Sequence, residues 1–252
     1  MKVYFIGAGP GDPELLTIRA ERLLRRCRIC IYAGSLISPA VLELIPGDAR
    51  RYDSATMSLE EILSVCEDAR KEASDVARLH SGDPSIYGAI REQMNGLDRL
   101  HIEYEVVPGI SSFQASAALL RIELTAPEVA QAVILTRTSG RTPLPVEQDL
   151  EKMAQTHATL CIFLSGHKIE EVADRLAAHY GSDCPAAVVY HATWPDQKMV
   201  EGVLRDIAVK ASSAGIGQTC LILVGQALSR DLPSSKLYDP TFTHRYRRGK
   251  SV

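Results

Sequence analysis

Glycines alternate at positions 7, 9 and 11 in Gly7-Ala-Gly-Pro-Gly-Asp12, directly after the apolar run Val3–Ile6. A loop of this composition lets backbone approach a ligand closely or take positive φ. Its register is not that of a dinucleotide fingerprint. G-x-G-x-x-G would need a third glycine where Asp12 stands, and Pro10 removes a backbone N–H from the turn. The next apolar run ends in Tyr32-Ala33-Gly34, with no acid to hold a ribose hydroxyl, which disfavours a nicotinamide enzyme. The loop reads either as ligand-facing or as a structural tight turn.

Three more segments offer similar chemistry: Ser81-Gly82-Asp83, Gly109 with Ser111-Ser112, and Ser165-Gly166. Asp83 can accept hydrogen bonds from ligand hydroxyls or amines. Hydroxyls and N–H groups ahead of a helix can receive a carboxylate or ring nitrogens. Each segment alone is also what a cap or turn would use. Four together, each after a strand, predict a cleft for a flexible polar molecule.

Other chemistries lack their motifs. No G-x-S-x-G, G-x-x-x-x-G-K-[ST] or H-E-x-x-H is present, and no tight metal-ligand cluster, so no metal is expected. His80, His167 and His191 each adjoin a candidate loop, as hydrogen-bonded loop residues or as bases. Arg50, Arg51, Arg78, Arg121, Arg137 and Arg141 lie in or near loops, where guanidinium forks either meet an acidic substrate or form surface charge. Cys27 and Cys30 have C-x-x-C spacing. They close a helix rather than open one and have no second pair, so chance spacing is the expectation.

The elements that position these groups alternate between strand and helix. Lys2–Ile6 reads as a buried strand, followed by a helix with the stripe Leu16, Ala20, Leu23 and Cys27. Arg28–Tyr32 is a second strand. Ser58 with Glu61 predicts a capped helix over 58–73, and Asp75–His80 a strand. A helix over 86–94, a strand over Ile102–Val107 and a helix over 112–120 complete the first half. In the second half Ala130–Thr136, Leu160–Leu164, Ala186–Tyr190, Met199–Val203 and Thr219–Val224 read as strands. One helix buries Ile169, Val172, Ala173 and Leu176, and another spans 204–212. The repetition predicts two α/β domains with mixed, mostly parallel sheets, residues 1–119 and 120–228, and a tail over 229–252.

Bulk composition fits that division. The 252 residues are 46% hydrophobic and 23% charged, enough for a real core and against disorder. The formal net charge is −3, and the basic end Arg245–Lys250 is too small a patch to predict nucleic-acid binding. Val3–Ile6 is too short for a signal-peptide core, and no run approaches a membrane span. A cytoplasmic protein with no membrane partner is expected.

Taken together, Val3–Thr17 (VYFIGAGPGDPELLT), Ser81–Gly88 (SGDPSIYG), Val107–Ser112 (VPGISS), Thr159–Gly166 (TLCIFLSG) and Thr219–Gly225 (TCLILVG) closely resemble the tetrapyrrole (corrin/porphyrin) methylase family. The resemblance implies a two-domain fold, S-adenosyl-L-methionine bound in the cleft between the domains, and a homodimer. Its cofactor contacts match Pro10, Ser81, Gly82, Asp83, Ile86, Ser111, Ser112, Leu164 and Ala192. Many relatives carry glycine where Ser81 stands and methionine where Leu164 stands. Leucine keeps the apolar volume and loses the thioether.

Within the family, Tyr32–Ile37, Thr136–Pro145 and Tyr190–Lys198 resemble the branch that methylates C11 of precorrin-4, or of cobalt-precorrin-4, in cobalamin synthesis. Alternatives are methylation at another ring carbon, a uroporphyrinogen-III or diphthine methyltransferase, or a non-catalytic cofactor sensor. On this reading the substrate is an anionic tetrapyrrole met by loop arginines. Asp12 orients a substrate N–H more than it deprotonates, and Arg78, His80 and His191 are further partners. Tyr190 and Trp194 are core or dimer contacts, or part of the site. Such chemistry needs no triad, because the cofactor carries an already activated methyl.

Overall fold

A computed structural model of the chain describes residues 1–140 and 142–249. Arg141 and Lys250, both named above, lie outside these residues. The elements in order are β1 (Lys2–Gly7), α1 (Ile18–Arg26), β2 (Ile29–Tyr32), α2 (Pro39–Leu42), β3 (Arg50–Asp53), α3 (Leu59–Lys71), β4 (Val76–His80), α4 (Arg91–Arg99), β5 (Glu103–Val107) and α5 (Ser112–Leu120). There follow β6 (Val133–Arg137), α6 (Leu150–Ala154), β7 (Thr159–Phe163), α7 (Ile169–Tyr180), β8 (Pro185–Tyr190), β9 (Lys198–Val203), α8 (Leu204–Ser213) and β10 (Cys220–Val224). The chain divides into two units, Met1–Ala115 with His191–Gln197, and Ser116–Tyr190 with the chain from Lys198 on. The division falls in α5, the helix that also contains the 119/120 boundary expected from sequence.

In the first unit five parallel strands run in the order β3-β2-β4-β1-β5. Alternate side chains of the central strands point to opposite faces, and both faces are buried, as continuous apolar runs require. Tyr4, Ile6, Ala77 and Leu79 pack with Ala20, Leu23 and Leu24 of α1. Val3, Phe5, Ile29 and Ile31 pack on the other face with Ile62, Cys66 and Ala69 of α3 and Leu97 of α4. Leu16 and Cys27 join the α1 stripe from just outside the helix. The Ser58–Glu61 capping box forms with both of its hydrogen bonds.

Two local expectations give way. β3, an exposed edge strand, carries too little apolar patterning to be read from sequence. The helix predicted over 86–94 instead occupies Arg91–Arg99. Tyr87 and Ala89 take positive φ of 55° and 48°, and Gly88 sits against the Pro84 carbonyl, so residues 84–90 form an irregular turn. Asn95-Gly96, a pair of turn-forming residue types, lies inside the helix. Gly96 is there because a Cβ would come within 2.5 Å of Leu63 Cδ1, so its smallness lets α3 and α4 pack closely.

The second unit has the strand order β6-β7-β10-β8-β9. Only β6–β7 is parallel; β7–β10, β10–β8 and β8–β9 are antiparallel. This departs from a mostly parallel sheet. The physical reason is connection length: residues 191–197 joining β8 to β9 are too few for a right-handed crossover, so the chain doubles back. Ile169, Val172, Ala173 and Leu176 of α7 are all buried in the core, at the spacing the sequence predicts. The short helix α6, not foreseen, is fixed by Arg175, whose guanidinium binds Asp149 and Glu151 and reaches Glu171. That guanidinium holds the Glu151 carboxyl down at about 2. Residues 229–249 are largely exposed and gather on Arg247, which donates to the carbonyls of Leu237 at 2.7 Å and Asp239 at 2.6 Å.

Candidate active site

β4, β1 and β5 are adjacent and parallel, so the loops leaving their carboxyl ends emerge side by side at one end of the sheet. The loops are tied by backbone bonds: Ala8 N–H donates to His80 O at 2.8 Å, and Gly9 and Gly82 exchange bonds of 3.2 and 2.8 Å. Where they meet there is no room for side chains. A Cβ on Gly7 would lie 2.6 Å from Gly109 Cα, and one on Gly109 would lie 2.8 Å from Gly7 Cα. Gly82 also needs its φ of +64°. These glycines are therefore required by close approach and conformation together.

Asp83 clasps two of the loops. One carboxylate oxygen accepts from Gly109 N–H at 2.9 Å and the other from Ser85 N–H at 2.8 Å. Burial alone would raise its pKa, but the bonds from Ser85 and Gly109 outweigh it and the carboxyl sits below its ordinary range. Ser111 N–H donates to Gln114 Oε1 at 2.9 Å at the entry to α5, next to Ser112, its first residue. Pro10, Ser81, Gly82, Asp83, Ile86, Ser111 and Ser112 are thus gathered at one end of one sheet.

The segment His191–Gln197, from the second half of the chain, packs in the first unit over the Gly9–Asp12 turn. Trp194 Nε1 donates to Pro10 O at 2.8 Å, and Thr193 Oγ1 accepts from Asp12 N–H at 3.0 Å. The indole covers Gly11 so closely that a Cβ there would overlap its ring. His191 stacks on Trp194 with ring centroids 4.4 Å apart, and its Nδ1 lies 3.0 Å from Asp196. Thr193 N–H donates to Gln197 Oε1 at 2.9 Å. Positive φ at His191 (46°) and Thr193 (69°) gives the segment its shape, a local strain that the surrounding bonds hold in place. Ala192, expected in the C-terminal domain, is buried here with the first unit.

The sequence leaves Trp194 as a core or dimer contact or part of the site, and no motif in it marks Thr193, Asp196 or Gln197. The available signal was the chain's one tryptophan in a proline-bearing turn. Asp12 and His191 are brought to the same clip, where Asp12 Oδ1 also accepts from Glu14 N–H at 2.9 Å.

Arg78 lies elsewhere. It is buried among the α3 and α4 side chains, with Nε donating to Gln93 Oε1 at 2.9 Å and Nη1 to Leu79 O at 3.3 Å. Burial lowers its pKa to about 10, which leaves it cationic at neutral pH. Of the other arginines expected in or near loops, Arg50 and Arg51 lie in β3 and Arg137 ends β6, and all three serve protein groups. Arg50 pairs with Glu72, and Arg51 donates to Ile45 O. Arg137 donates to the carbonyls of Thr138, Thr142 and Pro143.

His80 closes β4 beneath the Ser81–Asp83 loop, 7% exposed, with Nε2 lacking a hydrogen-bond partner. Burial, with the Arg78 charge second, pulls its pKa down to about 3. Between that value and an unfolded value near 6.5 only the unfolded chain binds this proton, so stability falls as pH falls. We expect His80 to remove about 1.5 kcal/mol of stability between pH 6.5 and 5. Denaturant unfolding across that range should show this slope in the natural protein and lose it in His80→Gln; an unchanged slope would refute the assignment.

In the second unit Leu164 follows β7 with φ +54° and 66% of its surface exposed. Thr138 N–H donates to Ser165 Oγ at 2.9 Å behind it. Cys27 and Cys30 are buried, and burial raises their thiols to about 11 and about 12, far from a reactive thiolate. Among the described residues no His, Cys, Asp and Glu group of three or more could hold a metal ion, and no helix is long and apolar enough to cross a membrane.

Residues 2–208 match the family model described as Tetrapyrrole (Corrin/Porphyrin) Methylases. The chain is 47% identical to a cobalt-precorrin-4 C(11)-methyltransferase of Methanocaldococcus jannaschii, covering 98% of this chain and 96% of the relative. It is 46% identical to a precorrin-4 C(11)-methyltransferase of Pseudomonas aeruginosa, covering 99% and 100%. Among solved structures, a cobalt precorrin-4 methyltransferase described as a cobalamin biosynthetic enzyme superposes with a TM-score of 0.88 at 40% identity, covering 90% of this chain and 96% of that one. A uroporphyrin-III C-methyl transferase from Thermus thermophilus, complexed with S-adenyl homocysteine, gives 0.75 at 28% identity, covering 90% and 93%. By the extent of these matches, the chain belongs to the tetrapyrrole (corrin/porphyrin) methylase family.

Proposed function

We propose that this protein transfers the methyl group of S-adenosyl-L-methionine to C11 of precorrin-4 or cobalt-precorrin-4, giving precorrin-5 or cobalt-precorrin-5A and S-adenosyl-L-homocysteine. The observation that carries the reading is the convergence of the Gly7–Asp12, Ser81–Gly88 and Pro108–Ser112 loops, packed so closely that only glycine fits at positions 7 and 109. The near full-length likeness to two C11 methylases selects the ring position.

The residues present suit such a cofactor. The loop ends offer backbone N–H and C=O groups, the hydroxyls of Ser81, Ser111 and Ser112 and the Asp83 carboxylate, for a molecule with carboxylate, ammonium and hydroxyl groups. We assign Pro10, Ser81, Gly82, Asp83, Ile86, Ser111, Ser112, Leu164 and Ala192 to holding it. When bound, S-adenosyl-L-methionine supplies a methyl group activated on a sulfonium.

The protein's part is orientation and proton management. Asp12, anchored through its backbone to Thr193, orients a pyrrole N–H. His191, braced by Asp196 and Trp194, accepts the proton lost from the ring after methylation. Arg78, enclosed by Gln93 and backbone carbonyls, supports β4 from inside. On this reading the substrate is an anionic tetrapyrrole, and the enzyme works as a cytoplasmic homodimer.

Incubation of the purified protein with methyl-labelled cofactor and, separately, precorrin-4, cobalt-precorrin-4 and uroporphyrinogen III tests this reading. NMR should place the label at C11 of one of the first two. Label at another carbon, or transfer only to uroporphyrinogen III, overturns it.

A further inference from the structure

Leu164 is an exposed apolar side chain on a backbone that leucine disfavours. Left-handed φ is costly for a non-glycine residue, and burying a leucine usually compensates, which is not the case at 66% exposure. Something must hold it there. Ser165, fully buried, donates its hydroxyl proton to Phe163 O at 2.8 Å, so the residues on either side of Leu164 are bonded to each other. The remaining capacity of that oxygen is taken by Thr138, whose N–H and Oγ1 both lie 2.9 Å from it. A hydroxyl has one proton and two acceptor sites. Since the Ser165 proton goes to Phe163 O, Thr138 Oγ1 must be the donor to Ser165 Oγ.

Thr138 is itself held. It is 5% exposed, its carbonyl accepts from Arg137 Nη1 at 3.2 Å, and the neighbouring Ser139 carbonyl accepts from Lys168 Nζ at 3.3 Å. The brace therefore runs from the loop after β6 to the turn after β7, and Leu164 is the residue it encloses.

We propose that Thr138 and Ser165 are positioning residues for the methyl-donor site: their hydroxyl pair fixes the strained turn that presents the Leu164 side chain to the cofactor. This rests on the assignment of Leu164 to that site. A preset apolar contact lowers the ordering cost of binding, and the brace compensates here for a leucine that lacks the pliancy of methionine.

The test is the Kd of S-adenosyl-L-homocysteine, measured by calorimetry on the whole protein, with thermal unfolding in parallel. Leu164→Ala tests the underlying assignment and should weaken binding about tenfold, or about 1.4 kcal/mol. Ser165→Ala and Thr138→Val should each weaken it by a similar factor, with Thr138→Ser restoring most of the loss. In a Leu164→Gly background, where glycine takes left-handed φ unaided, adding Ser165→Ala should change Kd less than about twofold. A merely structural role would shift unfolding and Kd alike in both backgrounds.

If Leu164→Ala weakens binding while Ser165→Ala and Thr138→Val do not, the positioning proposal falls and the site assignment stands. If Leu164→Ala leaves Kd unchanged, both fall. Equal effects of Ser165→Ala with leucine or glycine at 164 also overturn the proposal. Should Ser165→Ala not fold, Thr138→Val carries the same comparison.

Discussion

Gly109→Ala is expected to abolish measurable methyl transfer and cofactor binding. The added methyl would lie 2.8 Å from Gly7 Cα and overlap the Gly82 carbonyl, and both neighbours are backbone, which cannot swing aside as a side-chain tip can. Relief requires the β1, β4 and β5 loops to part, stretching the 2.9 Å bond from Gly109 N–H to Asp83. Overpacking of this kind destabilises by about 1–3 kcal/mol, so the variant should still fold, and circular dichroism would verify this. Gly47→Ala, with open space around it, is the control and should change stability by less than about 0.5 kcal/mol. A folded Gly109→Ala protein that binds S-adenosyl-L-homocysteine normally would show that the junction of the three loops is not the cofactor site.

Trp194→Ala should likewise cost far more activity than stability. The indole is half-buried, so its loss should cost only about 1–3 kcal/mol. It nevertheless removes the N–H bond to Pro10 O and the stacking partner of His191. Asp12 and His191 would then be free to drift by an ångström or more, and displacement on that scale lowers turnover by about 100-fold. Trp194→Phe keeps an aromatic face for His191 but leaves the Pro10 carbonyl without its donor, so an intermediate loss of about tenfold in kcat is expected. Steady-state kinetics at saturating cofactor would decide it. Near-normal kcat in Trp194→Ala would mean that the clip is structural and that His191 and Asp12 act, if at all, without its bracing.

Much of the first unit was legible because buried parallel strands carry continuous apolar runs and each ends in glycine-bearing punctuation. Val3–Ile6, Asp75–His80 and the Ser58–Glu61 cap needed only local rules. The 86–94 helix was misplaced because Gly88 and Asn95-Gly96 are ambiguous locally. Only packing shows that one glycine serves an irregular turn and the other a close helix contact. The second sheet's direction was lost for a related reason: strand–helix alternation does not reveal which strands are neighbours, and four of its five strands make antiparallel pairs.

The glycine loops were where the sequence had pointed from the start. Residue types and order alone determined that these loops follow strands, that the glycine register is wrong for a dinucleotide, and that no triad or metal motif accompanies them. Those properties are local and survive in a one-dimensional reading. Tertiary structure decided the rest. It placed residues 191–197 over a turn some 180 positions earlier, as in the 3.0 Å bond from Asp12 N–H to Thr193. It also enclosed Arg78 away from the loops and braced Leu164 through Thr138. Contacts between residues so distant in sequence depend on which elements pack together, and that is set by the burial of whole sheet faces rather than by any motif within the segments that meet.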